Sequence, residues 1–352
     1  MNCIPTTEGG SAVKLMKTEE AVGQILCHDM TRIVPGVVKD AAFRKGHVIT
    51  EADIPLLLSM GKDYVYIWEN NENMVHEDDA ARVLYEMCAD GHMRPTPVKE
   101  GKIELIAEIP GLFKVDREKL LAVNRLGEMM IACRHGDFPV NAGDRLAGTR
   151  VIPLVIERQK LEAARSAAAG GPIFRILPFK PKRVGIVTTG NEVFYGRIED
   201  RFTPVIVEKV SEYGAEVVGH VVSDDDTGHI AAGIRGLLEQ GADLIVCTGG
   251  MSVDPDDRTP GAIRQAGARI VSYGAPVLPG AMFLLAYYGE DDIPVIGVPG
   301  CAMYNRRTVL DLALPHLFAD DLLDKWDLDR LGEGGLCLNC QVCHFPNCGF
   351  GR

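Results

Sequence analysis

The segment "LIVCTGGMSVDPDD", residues 244–257, decides the fold of this chain. Its apolar run stops at Thr248, two glycines follow at once, and three aspartates come after Ser252. A short apolar run closed by glycine is typical of a buried strand in a parallel sheet. Ligands of such sheets bind beyond the carboxyl ends of the strands, which is where this negative charge lies. The segment therefore predicts both a parallel sheet and a binding edge.

Strand-like and helix-like segments alternate on both sides of this segment, from about Lys182 onward. The other predicted strands are "RVGIVTTG" (183–190), "AEVVGHVVSDDD" (215–226) and "DIPVIGVPG" (292–300), and a helical pattern follows each strand. Thr203 is expected to cap the first helix, with Pro204 at its first position, and Asp226 or Thr227 to cap the second. This alternation predicts an α/β fold, a three-layer domain with a mostly parallel sheet at residues 180–318.

The rest of the chain divides into three further segments. Residues 1–70 form an N-terminal segment with a helix capped by Thr50 or Asp53 and a strand at "YVYIW" (64–68). Residues 71–170 form a smaller α+β region of unknown role, which ends near the small, flexible stretch "RSAAAGGP". Residues 333–352 form a cysteine-rich tail.

Composition limits the possible partners. A net charge of −12 over 352 residues argues against a nucleic-acid partner, because phosphate-backbone binding relies on clustered lysine and arginine. The chain contains no uninterrupted apolar run of about 18 residues, so no membrane partner is expected. The N-terminal sequence lacks the pattern of a secretory signal, and a cytoplasmic location is the expectation.

Three predicted strands end in glycine turns, namely "TTGNE" (188–192), "CTGGMS" (247–252) and "GVPG" (297–300). Glycine lets a ligand approach the backbone, and a helix N-terminus offers unpaired N–H groups to an anion. The glycine patterns of P-loop proteins and of dinucleotide-binding folds are both absent from the sequence. The turns therefore predict a small ligand that carries phosphate.

Carboxylates follow the same strands. Glu192 follows the first strand, Asp224–Asp226 the second, and Asp254, Asp256 and Asp257 the third. Acids from several strand ends repel one another unless a cation intervenes. Mg²⁺ prefers one or two carboxylates together with ligand phosphates, so it is the expected ion.

Residues 182–318 resemble the molybdopterin-binding domain shared by molybdopterin molybdenumtransferases and the gephyrin E domain. The resemblance rests on "TTGNEV", "SDDDTGHI", "TGGMSVDPDD", "LPGAM" and "GVPG" in this order. Residues 20–68 resemble the segment that precedes this domain in those enzymes. The resemblance implies that the pterin phosphate lies on the glycine turns, beside acids that position Mg²⁺ and the metal-insertion chemistry.

The resemblance also implies individual roles. Glu192 and Asp257 are the expected catalytic residues, and the expected cofactor-binding residues are Thr189, Gly190, Asn191, Asp225, Gly249, Gly250, Ser252, Pro299 and Gly300. The chain departs from the family pattern where lysines are usual, at Leu278 and Ala281, and where asparagine and proline are usual, at Cys301 and Ala302. Lysines are natural partners of an oxyanion such as molybdate or a second phosphate. Without these lysines ligand binding is still expected, but the prediction of metal insertion loses support.

The tail "CLNCQVCHFPNCGFG" (337–351) has the spacing C-x2-C-x2-C-x4-C. Cys337, Cys340, Cys343 and Cys348 are the expected metal ligands, suited to Zn²⁺ or to an iron–sulfur cluster. Four thiols cannot build a hydrophobic core, so we expect that only a bound metal orders this segment and that the α/β domain folds without it. Of the other cysteines, Cys247 is expected in the core. Cys301 opens the last predicted helix, where a thiolate would be stabilised, but packing in the core or beside the site is the main expectation for it.

Three functions are compatible with these features. The first is a molybdenumtransferase-like transferase of molybdenum cofactor biosynthesis, which binds molybdopterin or adenylylated molybdopterin with Mg²⁺ and assists molybdenum insertion. The second is a non-catalytic molybdopterin carrier or sensor with a metal or redox tail. The third is a nucleotide pyrophosphatase on the same domain, since phosphate turns with acids and Mg²⁺ also serve hydrolysis. The resemblance further implies a homodimer, and a molybdoenzyme or another protein of the cofactor pathway as a partner.

Overall fold

A computed structural model describes residues 13–34, 38–68, 72–252, 254 and 257–352. The chain forms two compact units. The first comprises residues 1–108, 115–134 and 142–175, and the second comprises residues 109–114, 135–141 and 176–352. Within the described ranges, no helix is both long enough and apolar enough to cross a membrane.

The first unit is built from short antiparallel sheets and four α-helices within its described residues. Its four-stranded sheet has the order Met93–Pro95, Lys102–Ala107, Arg145–Val151, Met129–Cys133, and its two-stranded pairs are Val13–Lys17 with Tyr64–Trp68, Met30–Val34 with Val38–Phe43, and Met74–His76 with Val155–Glu157. The helices are Ile54–Ser59, Glu77–Cys88, Arg117–Asn124 and Arg158–Ala167.

The predicted elements of the N-terminal segment are confirmed. The "YVYIW" strand pairs with Val13–Lys17. A one-turn 3₁₀ helix at Glu51–Asp53 leads into the α-helix at Ile54–Ser59, and Thr50 and Asp53 form a capping box at its start. Both residues proposed as caps therefore take part, because each bonds the backbone of the other.

The second unit contains a six-stranded sheet. Its strands are β1 (Arg183–Thr189), β2 (Glu216–Ser223), β3 (Leu244–Thr248), β4 (Arg269–Tyr273), β5 (Leu284–Tyr288) and β6 (Ile293–Val298), in the order β2-β1-β3-β6-β5-β4. The pairs β2-β1, β1-β3 and β3-β6 are parallel, whereas β6-β5 and β5-β4 are antiparallel. The predicted, mostly parallel sheet is confirmed, with an antiparallel extension at one side.

Helices cover both faces of this sheet. They are α1 (Asn191–Phe194), α2 (Phe202–Ser211), α3 (Thr227–Glu239), α4 (Thr259–Gln265), α5 (Val309–Phe318) and α6 (Lys325–Asp329). Ile186 of β1 packs with residues of α2 and α5, while its neighbour Val187 packs with residues of α3 and α4. Successive residues of a strand point to opposite faces, so the two cores lie on either side of the sheet and the domain has three layers.

A smaller three-stranded sheet has the order Phe138–Val140, Gly111–Val115, Phe174–Pro178. In the second unit, Lys114 bonds Asp137 at 2.7 Å and Asp321 at 2.8 Å. Burial alone would raise the pKa of Asp321, but hydrogen bonds from His316 and Lys114 outweigh it and hold that pKa at about 2. These carboxylates therefore stay ionised and tie the small strands to the end of α5.

Two local predictions near the helix starts are wrong. Thr203 does not cap α2, because Asp200 accepts the backbone amides of Phe202 and Thr203 at 2.8 and 3.0 Å and also the Thr203 hydroxyl. The last helix does not begin at Cys301, because a short 3₁₀ helix at Gly300–Met303 comes first and α5 starts after the Thr308 cap. By contrast, Asp226 caps α3 as predicted, accepting from the amides of Gly228 and His229.

Candidate functional site

The four parallel strands end at one edge of the sheet. Thr189 at the end of β1 is level with Ser223 of β2. Thr248 at the end of β3 is level with Thr188 on one side and Val298 of β6 on the other. The turns after all four strands, which carry the predicted cofactor-binding residues, are therefore neighbours at this edge, as expected for a ligand site of a parallel sheet.

The first turn is linked to the second by a side chain. The Asn191 amide donates to Oδ2 of Asp225 at 3.0 Å, and the Gly190 amide donates to the Ser223 carbonyl at 3.2 Å. Gly190 has φ +137°, and a Cβ built there would lie 2.9 Å from Oε1 of Glu192. The exposed Glu192 carboxylate thus lies over Gly190 of the first turn, while Asp225 of the second turn bonds the neighbouring Asn191 amide.

The third turn is held by two threonines. Thr259 donates to the Gly249 carbonyl at 2.8 Å and lies 3.1 Å from the Thr189 hydroxyl. Gly249 has φ +84° and Gly250 has φ +54°, which are left-handed conformations that favour glycine. Thr189 is buried in this network and positions the turn, while the Ser252 residue is exposed at its end.

Tyr273, which no sequence pattern indicated, supports the same turn. Its hydroxyl lies 3.1 Å from the Met251 carbonyl and 3.0 Å from the Ser252 carbonyl. Burial, followed by the nearby Asp257 carboxylate, raises the pKa of Tyr273. The tyrosine therefore remains a neutral donor, and it brings the antiparallel strand β4 to the edge.

Asp257 closes its own loop. Its Oδ2 accepts the Asp254 amide at 2.7 Å, and its amide donates to the Asp254 carbonyl at 3.0 Å. Val253, Pro255 and Asp256 lie outside the described residues. The carboxylate of Asp257 thus has a structural task in addition to the catalytic role predicted for it.

The fourth turn is open to ligand. Pro299 is buried, whereas Gly300 is exposed at the start of the short 3₁₀ helix. A Cβ added at Gly300 would meet no atom within 4 Å, so the space above this glycine is free for a bound group. Cys301 is not at the start of an α-helix, and burial raises the pKa of its thiol, so the predicted stabilisation of its thiolate is wrong.

A polar network beneath the edge was not predicted. Thr188 lies 3.0 Å from Nε2 of His220 and 3.2 Å from Oδ2 of Asp200, and Thr203 lies 3.1 Å from the same histidine nitrogen. Burial would raise the pKa of Asp200, but bonds from Thr203 and other donors hold that pKa below its usual range. The one sequence signal for this network was a lone histidine, His220, inside the apolar strand "VVGHVV". Its partners Thr203 and Thr188 lie 17 and 32 positions away in the chain.

Glu192, Asp225 and Asp257 lie on neighbouring turns without forming a closed metal site. Across the described part of the chain, no three histidine, cysteine, aspartate or glutamate side chains are grouped so as to hold one metal ion. The Mg²⁺ site predicted from these acids is therefore not formed by side chains of the described residues alone.

The tail packs against the core of the second unit, through contacts that the cysteine spacing did not predict. Phe350 is buried in the core of the second unit, and Phe345, Cys337 and Cys348 pack against that core. The Cys337 amide donates to the Leu278 carbonyl at 2.8 Å. Aromatic packing and backbone pairing thus provide the order that thiols alone could not.

Cys247 is fully buried in β3, and burial raises the pKa of its thiol to about 12. The prediction that it belongs to the core is confirmed.

Alanine at Gly249 is expected to destabilise the second unit, whereas alanine at Gly300 is not. The left-handed conformation costs a residue with a side chain about 1–2 kcal/mol, and a Cβ at Gly249 would lie 2.2 Å from the Thr189 carbonyl oxygen. The open position at Gly300 is expected to change the free energy of unfolding by less than about 0.5 kcal/mol. Chemical denaturation measures both variants, and equal stability would contradict the geometry of the third turn.

The strand-end turns lie on an α/β domain with a mostly parallel sheet. Residues 185–319 match the family profile described as "probable molybdopterin binding domain", and residues 15–69 match a domain of unknown function, DUF8806. The first match includes the whole edge described above, so the similarity to that family lies in the domain that carries the strand-end turns.

Individual relatives cover parts of the chain. A CinA-like protein of Mycobacterium tuberculosis is 40% identical over 90 residues, which is 25% of this chain and only 21% of that relative's length. Among solved structures, MoaB of Thermus thermophilus is 24% identical to this chain. The match covers 39% of this chain and 91% of the MoaB chain, with a TM-score of 0.32. A molybdenum cofactor biosynthesis protein of Pyrococcus furiosus is 12% identical to this chain. The match covers 88% of this chain and 66% of the Pyrococcus protein, with a TM-score of 0.26.

Proposed function

We propose that this protein acts in molybdenum cofactor biosynthesis and binds molybdopterin or adenylylated molybdopterin at the strand-end edge. The observation that carries the proposal is the meeting of four strand-end turns at one edge of a domain whose residues 185–319 match the molybdopterin-binding profile. A phosphate-bearing pterin fits this edge because the turns combine close backbone approach with hydroxyl and amide donors.

Each proposed binding residue has a distinct part in this edge. Gly249 and Gly250 shape the third turn, whose conformation Thr189 maintains, and Gly300 leaves the space through which the phosphate approaches. The exposed Ser252 supplies a hydroxyl donor. Gly190, Asn191 and Pro299 hold the backbone of the first and fourth turns.

Mg²⁺ would be held by Glu192 and Asp225 together with ligand phosphate, and it would neutralise phosphate charge and polarise the reacting oxygen. Carboxylate oxygens on two adjoining turns are a suitable donor set for this ion. Glu192 and Asp257 are the proposed catalytic residues of a molybdenumtransferase-like reaction, with molybdenum as the substrate that is inserted. The proposed location is the cytoplasm, and a homodimer and a molybdoenzyme or cofactor-pathway partner belong to the same proposal.

A non-catalytic carrier or sensor is the second candidate, and the position of Asp257 favours it. The Asp257 carboxylate accepts the Asp254 amide at 2.7 Å, so its part in the loop could explain its presence without catalysis. Leu278 stands where the resemblance expects a lysine, and its backbone pairs with the tail. This position therefore offers the substrate oxyanion no charge.

Complementation separates the two candidates. A bacterial strain that lacks its molybdenumtransferase is expected to regain molybdoenzyme activity when it expresses this protein. Absence of rescue by a protein that still binds molybdopterin would favour the carrier. Release of AMP from small dinucleotides, without rescue, would instead indicate a pyrophosphatase.

Valine at Gly300 is expected to weaken molybdopterin binding by about tenfold or more, which corresponds to about 1.4 kcal/mol. The valine side chain would occupy the open space above the fourth turn, where it meets no protein atom at its Cβ position. Anaerobic titration of pterin fluorescence measures the affinity, and a thermal unfolding curve that matches the wild type shows that the fold is kept. An unchanged affinity would remove the fourth turn from the site.

A further inference from the structure

The cysteine tail lines an open cavity of about 580 Å³. All four tail cysteines contribute to its wall, together with Asn305, Arg306 and other residues of the segment that follows the fourth turn. The four thiols are free of disulfides, and Cys340 and Cys343 are exposed. A group that binds thiolates could therefore reach all four positions from within one space.

The tail is held around this cavity by contacts that leave the thiols available. Leu336 forms a parallel bridge with Leu278, and the Gly351 amide donates to the Gly334 carbonyl at 2.9 Å. Phe350 is buried in the core, and the Arg307 guanidinium lies 5.0 Å from the centre of the Phe345 ring. The backbone and the aromatic side chains thus fix the loop, and the cysteines are free to serve as ligands.

The arrangement favours a cluster over a single ion. Tetrahedral Zn²⁺ requires four thiolates that converge at about 2.3 Å from one point, and no three tail thiols, nor any other such trio in the described ranges, are grouped in that way. In an iron–sulfur cluster each thiolate binds a different iron, so the ligands stand farther apart around a larger body. The four tail cysteines line one cavity, and no three of them are grouped around a single point, so a larger body suits them better than a single ion.

The wall also carries positive charge. Four thiolates make a bound cluster anionic, and cations near the sulfurs reduce the cost of that charge. Arg306 donates to the Gln341 carbonyl at 3.3 Å, and Arg307 also lines the cavity. Asp311 shares the charge of Arg307 at 2.8 Å, so Arg306 is the cation left for the cluster.

We propose that Cys337, Cys340, Cys343 and Cys348 hold a [4Fe–4S] cluster in this cavity. The cluster site lies next to the candidate pterin site, because Asn305 of the cavity wall donates to the Cys301 carbonyl of the fourth turn at 2.8 Å. The proposal does not depend on the pterin chemistry, since its ligands and its cavity belong to the tail.

Anaerobic reconstitution of the full-length protein with ferrous iron and sulfide tests the proposal. The wild type is expected to retain about four irons and four sulfides per chain after desalting, with visible absorption that bleaches on reduction. A double variant, Cys340→Ser with Cys343→Ser, is expected to lose them, while its thermal unfolding matches that of the wild type when both are metal-free, because both side chains are exposed. Cys133→Ser, a cysteine of the first unit, is the matched control and is expected to keep the cluster.

Three results would overturn the assignment. One is stoichiometric zinc without iron in protein purified anaerobically. Another is no metal above background after reconstitution. The third is full retention of iron and sulfide by the double variant.

Discussion

Replacement of Phe350 by alanine is expected to lower the free energy of unfolding of the second unit by about 3–5 kcal/mol, the usual range for a buried phenylalanine. Phe350 is 4% exposed in the core, and its ring centre lies 6.2 Å from that of Phe345. Removal of the ring leaves a cavity that the surrounding side chains cannot fill. Denaturation of the metal-free protein, followed by circular dichroism, measures the change.

Leu338→Ala is the matched control for Phe350→Ala. Leu338 belongs to the same tail but is 77% exposed, so its truncation is expected to change stability by less than about 0.5 kcal/mol. Equal effects of the two variants, or no effect of either, would show that the tail does not pack on the core. The tail would then be the detachable segment that its cysteine content alone suggests.

The Asp257→Asn variant is expected to lower metal-dependent molybdenum insertion by on the order of 10²-fold. Asparagine keeps a side-chain oxygen that accepts the Asp254 amide, so the loop is expected to keep its conformation. The lost charge is therefore the main change, and molybdopterin affinity is expected to stay near the wild-type value. Single-turnover insertion assays with saturating molybdopterin separate the reaction from binding.

An alanine at the same position provides the comparison. Asp257→Ala removes the acceptor as well as the charge, so it is expected to disturb the third turn and to weaken binding in addition to the reaction. If Asp257→Asn keeps full turnover while Asp257→Ala is less stable, the role of Asp257 is to hold the loop and not to take part in the reaction. The carrier function would then be the better account.

The central fold was predictable because its signals are local. Three of the four parallel strands, β1, β3 and β6, are short buried apolar runs followed by a glycine turn, and β1 and β3 occupy the predicted positions. The antiparallel strands β4 and β5 were not predicted, because neither "RIVSY" nor "LLAYY" is followed by a helix as the parallel strands are. Their placement depends on pairing with β6, which is a tertiary effect.

The sequence predicted which turns form the candidate site, but it did not predict the side chains that support those turns. The sequence places the glycines and acids at strand ends, and the parallel register brings those ends together. Tyr273 and Thr259 support the third turn from other elements, so their roles depend on distances between residues far apart in the chain. Asp200 displaced Thr203 as the helix cap for a similar reason, since a charged acceptor competes better for two amides than a hydroxyl does.

The packing of the tail on the core could not be predicted from its cysteine content. Four cysteines in a short segment suggest a metal as its source of order, yet Phe345 and Phe350 anchor the segment to the core. Their partners include Phe138, which lies about 200 residues earlier and whose ring centre is 6.0 Å from that of Phe345. Sequence spacing could not reveal a core shared over that separation.

Direct titration of the purified protein with molybdopterin under anaerobic conditions tests the central claim, that the strand-end edge binds the pterin. Saturable binding of about one molybdopterin per chain is expected for the wild type. The Gly300→Val variant, which fills the open space at the fourth turn, is expected to bind at least about tenfold more weakly. Absence of saturable binding by the folded wild type, or equal affinity in the two proteins, would contradict the account.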